Sequence, residues 1–224
     1  MLLETDKCAA RVTMLTQNDF VVPSTPEELD QLYCKTIDKD IPCFRNFGSK
    51  CLKSLPRTLF NVGYKKALEI HKRFCYTPEG QRDFLFHLKC MKPEHLSVLH
   101  QYMHMVTGYL EYIERNVTTN DIIPWACCAY FKFSEEAEKQ LHNYCDDVTG
   151  PQTAKFVMDL TKSFTYDLID IGCGKYTTTA QCKQSLPEAM KVYEELGDIS
   201  KVVAKDYSPV VPAIKIVKRM DQEE

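Results

Sequence analysis

No two cysteines in this chain stand at the C-x-x-C spacing of zinc knuckles or thioredoxin-like redox sites. Glycine is scarce, with eight in 224 residues, which suits helices better than turn-rich sheets. There is no G-x-S-x-G, and no Ser, His and acid grouping that would mark a hydrolase. No apolar run approaches the length of a membrane-spanning helix, so no membrane span is expected. Positive charge is not in excess: a net charge of -3 argues against nucleic acid as a partner, because counterion release needs a clearly basic surface. After Met1 the segment LLETDKC brings an acid too early for a signal-peptide apolar region. For a secreted protein the expectation is therefore a mature chain from which the leader has been removed.

Two partial motifs fail on their details. Ile169-Asp170-Ile171-Gly172-Cys173-Gly174 is like a nucleotide-type glycine loop, but Tyr176 stands where the last glycine belongs and only 48 residues remain for a doubly wound sheet. A helix C-terminus closed by glycine is the expectation there. His100 and His104 are four apart, a spacing that can hold a metal, but no Glu follows His100 and structural histidines are the better account. No catalytic residue, metal or cofactor is expected.

What the sequence does have is cysteine, eleven in all: Cys8, Cys34, Cys43, Cys51, Cys75, Cys90, Cys127, Cys128, Cys145, Cys173 and Cys182. Spread along helical segments, they predict long-range disulfides in an oxidising compartment, hence an extracellular protein. Cys43 and Cys51 are too far apart along a helix to bridge each other, and the adjacent Cys127 and Cys128 point about 100° apart, so each reaches a different partner. Eleven is odd, so at least one cysteine lacks an intramolecular partner and is a candidate for a disulfide-linked oligomer.

Proline placement segments the chain. Pro26, Pro42, Pro56, Pro78, Pro93, Pro124, Pro151 and Pro187 can each open a helix, where the missing N–H is not needed. Thr25 with Glu28 and Ser185 with Glu188 match the capping box. The reading is an all-α, disulfide-stapled bundle of about eight helices over residues 1–197, followed by an extended tail, 198–224. Residues 1–24 read as an arm tied down by Cys8. The centre is Pro93 to Arg115, where Leu96, Leu99, Met103, Val106, Leu110 and Ile113 form one stripe and Val98, Tyr102, Met105, Tyr109 and Tyr112 a second. Two stripes predict a helix covered on several sides. The run from Ile122 to Phe131, with the only Trp, is the second core element, and Ser134 to Asp147 reads as an acidic amphipathic helix after it.

Three surfaces are candidates for binding. Tyr102, Met105, Tyr109 and Trp125 could line a pocket for a hydrophobic molecule. Residues 50–92 hold ten Lys and Arg against three acids, and Lys65, Lys66, Lys72 and Arg73 make an anion-binding face for an acidic glycan, lipid headgroup or protein. Asn116-Val117-Thr118 is a glycosylation acceptor pattern.

The cysteine layout carries a resemblance, in Leu32-Tyr33-Cys34, Cys43-x7-Cys51-Leu52, the Phe-Cys pair at Cys75, His87-Leu88-Lys89-Cys90, and Cys127-Cys128 followed by Cys145. Over residues 30 to 185 it resembles the secreted, cysteine-rich helical proteins of arthropods and nematodes, of the hemolymph-glycoprotein kind. The resemblance implies secretion and disulfides and carries no active-site residues. The expectation is an extracellular, non-enzymatic binding protein for a protein or glycan partner. A carrier of small hydrophobic molecules and a structural component of secreted material are the alternatives.

Overall fold

The structure, a computed structural model, describes residues 21–52, 54–205 and 207–220. The expected N-terminal arm with Cys8 lies almost wholly outside the described residues, as does the side chain of Cys51. Among the described residues the chain is all helix, without a strand. In order these are α1 (Pro26–Leu29), a π-helical turn (Asp30–Cys34), α2 (Lys35–Cys51), α3 (Ser54–Tyr76), α4 (Pro78–Leu88), α5 (Pro93–Asn116), α6 (Ile122–Thr149), α7 (Gln152–Gly172), α8 (Thr179–Ser185), α9 (Pro187–Leu196) and α10 (Val210–Met220).

The proline rule holds at α4, α5 and α9, each with Pro in its first turn. It fails at Pro42, which lies inside α2 rather than opening a helix. Burial outweighs the lost N–H there: Leu29, Tyr33, Cys34, Ile37 and Phe47 hold the continuous run from α1 through α2 against its neighbours. The Thr25 cap forms, with the hydroxyl accepting from the Glu28 N–H at 3.2 Å, but the Glu28 carboxylate turns to Ser24 instead of closing the box. At α9 the cap position is Leu186, and Ser185 ends α8. The two segments expected on either side of Phe131 are one helix, α6.

The expected extended tail also departs from the reading, since α10 occupies Val210–Met220. Its prolines do not forbid this: Pro209 precedes the helix and Pro212 sits in its first turn. The helix buries Val211, Pro212, Ile214 and Ile216, and Arg219 fastens it to α5 by donating to the backbone carbonyls of Glu114, at 2.6 Å, and Val117. Those carbonyls have no partner within α5's last turn, so the guanidinium is a cap supplied from another helix.

Two large buried clusters and a small third one, Phe47, Leu52 and Ile214, make the core among the described residues, and α5 and α6 run antiparallel through the large two. His95 stacks on Tyr144 near one end, and Tyr112 stacks on Trp125 near the other. The first cluster gathers Leu29, Tyr33, Phe74, Phe84, Leu88, Leu96, Leu141 and Met158. The second gathers Tyr102, Met105, Tyr109, Ile113, Trp125, Met190, Tyr193 and Ile216. As the doubled stripe implied, α5 is covered on several sides, by α6, α9 and α10.

Four described disulfides staple these layers. Cys34–Cys75 ties the π turn to α3, and Cys90–Cys145 ties the turn between α4 and α5 to α6. The adjacent pair divides as its helical geometry required, Cys127 to Cys173 and Cys128 to Cys182. Cys43 is also disulfide-bonded. Gly174, at φ 48°, turns the chain after α7, the glycine-terminated helix end expected there.

Candidate functional site

The described surface is indented by a groove of about 320 Å³ between the C-terminal half of α5, the end of α9 and a strap formed by residues 201–205. The α5 wall is one helical face: His104, Gly108, Glu111 and Arg115 follow one another at spacings of three and four. Gly108 sets the floor. A Cβ at that position would meet nothing within 4 Å, so the helix carries a residue of poor helical propensity where a side chain would have room. The opposite lip presents apolar side chains to solvent, with Leu196 and Val203 both exposed.

Charge is held at the centre by Glu111, whose side chain is 13% exposed. Lys205 donates to one carboxylate oxygen at 2.7 Å, while Tyr207 donates to the other. Arg115 approaches that second oxygen at 3.4 Å. Burial alone would raise the carboxyl; the hydrogen bonds from Lys205 and Tyr207, with the charges of Lys205 and Arg115, outweigh it and hold Glu111 below the usual carboxylate range. The same bond pushes the Tyr207 phenol up.

Above Glu111, the Lys205 backbone N–H donates to His104 Nδ1 at 3.2 Å. That bond requires the tautomer with hydrogen on Nε2, leaving His104 a donor at its second nitrogen. Burial, and then the Lys205 charge, push the imidazole below its ordinary value, so it is neutral in this arrangement. Asn116 gives its amide N–H to the Tyr112 carbonyl at the groove's end. The α5 wall thus offers donors from His104 and Arg115, facing a lip where Leu196, Val202 and Val203 stand with Glu195 and with Lys201, itself paired to Asp198 at 2.5 Å.

The residues expected to form an apolar pocket lie elsewhere. Tyr102, Tyr109 and Trp125 are buried in the second core cluster, filled from the far side by Tyr193 and Met190, and of the four only Met105 also reaches the groove. Tyr109 donates to the Tyr193 carbonyl and Tyr193 to the Trp125 carbonyl, which satisfies both phenols inside the core. Burial raises both tyrosines far out of the physiological range.

On the basic face, Lys66 pairs with Glu69 and Arg73 with Asp83, while Lys65 and Lys72 are exposed. Asn116 is exposed at the last position of α5. Among the described residues no three His, Cys, Asp or Glu side chains converge as a metal site, and no helix is long and apolar enough to cross a membrane. The sequence reading does not single out Gly108, Glu111, Lys205 or Tyr207. The one available signal is Gly108, a lone glycine in the interior of a 24-residue amphipathic helix.

Comparison of the chain with protein-family models, with curated proteins and with solved structures finds no match.

Proposed function

We propose that this chain is an extracellular, non-catalytic binding protein that holds a small amphipathic molecule in the groove over Gly108. The observation that carries the reading is the groove itself, with donors on α5, apolar side chains on the lip, and a glycine with open space above it at the bottom. Its volume lies at the lower end of the range for small-molecule sites, roughly 300–1,000 Å³. Glu111 is already held by Lys205 and Tyr207 and Lys201 by Asp198, so the donors left facing the groove, His104 and Arg115, suit a ligand head that accepts hydrogen bonds, with its apolar body against Leu196, Val202 and Val203. The four bridges support an oxidising compartment. Three of them also fix the α6 scaffold that positions α5, so the site stands on a preorganised frame.

The test is calorimetric titration with decanoate and with decanol, on the native protein and on Gly108→Leu. One of the two amphiphiles should bind saturably at one site, and Gly108→Leu, with an unchanged far-ultraviolet spectrum, should weaken that binding at least about tenfold. Absence of saturable binding by both, or equal binding by the filled variant, would overturn the reading.

A further inference from the structure

We propose that the Cys34–Cys75 bridge is a reversible redox switch, in which Cys75, held against His71 and Asp38, is the sulfur released when a low-molecular-weight thiol opens the bond. His71 and Cys75 are one turn apart on α3, which puts imidazole and sulfur on the same face. His71 Nδ1 lies 3.4 Å from Cys75 Sγ, and Nε2 lies 2.9 Å from Asp38 Oδ1 across on α2. Tyr76 donates to the other Asp38 oxygen and so fixes the carboxylate from its far side. Asp38 accepts the Nε2 hydrogen, which leaves the Nδ1 lone pair directed at the sulfur. The order sulfur, imidazole, carboxylate is the one that activates cysteine nucleophiles in general. Among the described bridges, this is the one with an imidazole nitrogen against a sulfur.

The chemistry follows from which sulfur leaves. A thiol RSH attacks Cys34 Sγ; the new RS–S–Cys34 bond forms, the sulfur–sulfur bond breaks, and its electron pair goes to Cys75. The proton given up by RSH passes to solvent and His71 Nδ1 takes one up from solvent as charge develops on Cys75, so the products are the mixed disulfide and a Cys75 thiolate beside an imidazolium that Asp38 stabilises. A second RSH displaces Cys34 as a thiol and leaves as RSSR, completing a two-electron reduction. A leaving sulfur stabilised as thiolate accelerates exchange, and in the return direction the same thiolate attacks Cys34 Sγ of the mixed disulfide and expels RS⁻.

Cys34 is 0% and Cys75 5% exposed, so a thiol reaches Cys34 only on local opening at the acidic end. His71 and both sulfurs are buried, but the Asp38 side chain is 42% exposed and Tyr76 is 57% exposed, so the cluster is one layer beneath solvent. Cys34 closes the π-helical turn, a widened element that recurs at functional positions. Opening the bond would release α1 and the start of α2 from α3 and leave the other three described bridges intact.

The experiment is limited reduction of the native protein with glutathione, quenched by alkylation and mapped by peptide mass, on the native chain, His71→Gln and Asp38→Asn. Cys34 and Cys75 should be labelled first, about tenfold ahead of the next bridge, with the trapped glutathione on Cys34. His71→Gln should erase most of that lead and Asp38→Asn part of it, while the rates of the other three bridges stay unchanged. If His71→Gln loosens the whole fold, all bridges accelerate together, and the surface variant Asp38→Asn then decides. Another bridge opening first in the native chain, an adduct on Cys75, or rates indifferent to Asp38→Asn would overturn the proposal.

Discussion

Lys205 Nζ stands 2.7 Å from Glu111 Oε2, joining the strap to the central helix across 94 residues of sequence. Because both side chains are largely buried, removing one partner leaves the other charged and poorly solvated. Lys205→Met is expected to lower unfolding free energy by about 1–3 kcal/mol, and Glu111→Gln by less, since the amide still accepts from Tyr207. Urea unfolding of the two variants and the double variant measures both, and the double variant should lie well short of the sum.

The same pair sets an acid response. Glu111 is held below the ordinary carboxylate value of 4.5, so its contribution is present above that value and is lost as pH falls through the lowered folded value. Asp38, Glu28 and Asp198 share the direction, so the informative quantity is native chain minus Lys205→Met. Unfolding curves taken between pH 6 and pH 3 should show a shallower decline in the variant.

His104 acts in a higher window. Its folded value is lowered from 6.5, so the folded state disfavours protonation and stability falls as pH drops below 6.5 toward the folded value. Protonation also turns Nδ1 from acceptor to donor and breaks the bond from the Lys205 backbone. His87, lowered by burial, adds a similar slope, so His104→Asn should remove part of the dependence between pH 7 and pH 5 and His87→Asn another part. Hydrogen exchange at the Lys205 amide, read over that range, isolates the His104 share; an amide equally protected at both ends would contradict it.

Gly108→Ala should stabilise the protein by about 1 kcal/mol, because alanine removes the glycine penalty in a helix interior and its methyl group meets open space. Thermal unfolding checks this. Gly80→Ala should go the other way, because a Cβ there would stand 2.2 Å from the Arg73 carbonyl oxygen.

Replacing Cys128 and Cys182 together with alanine should cost about 3 kcal/mol, because with Cys127–Cys173 intact this bridge closes a loop of only roughly ten residues. On the native chain, alkylation under denaturing but non-reducing conditions should modify at most two of the eleven cysteines, since eight close the four described bridges and Cys43 is bonded as well. Ten or eleven reactive thiols would remove both the covalent framework and the extracellular reading.

The helices and their cysteines were legible because both obey local rules. A 3.6-residue period marks α5, proline marks the starts of α4, α5 and α9, and a 100° turn per residue sends Cys127 and Cys128 to different partners. Pro42 and α10 were misread because tertiary burial outweighed the local signal: Phe47 and Ile37 carry α2 past its proline, and Val211, Ile214 and Ile216 find α5 and the core beside it. The tyrosine and methionine stripe was legible as buried, but no periodicity says whether buried residues surround a space or fill one. Tyr193, arriving from α9, fills it. The groove was hidden for a related reason. Glu111, Lys205 and Tyr207 are ordinary surface residue types in sequence, and only the path of the strap brings them together.

The fork at Cys127 and Cys128 has a topological effect. Both ends of the segment between Cys173 and Cys182 are moored to neighbouring positions of a single helix. A protease cut anywhere inside that segment therefore releases no fragment: the nicked molecule stays one covalent unit, heavier by a single water, until a reductant is added, and neither severed end can drift farther than its own short tether allows.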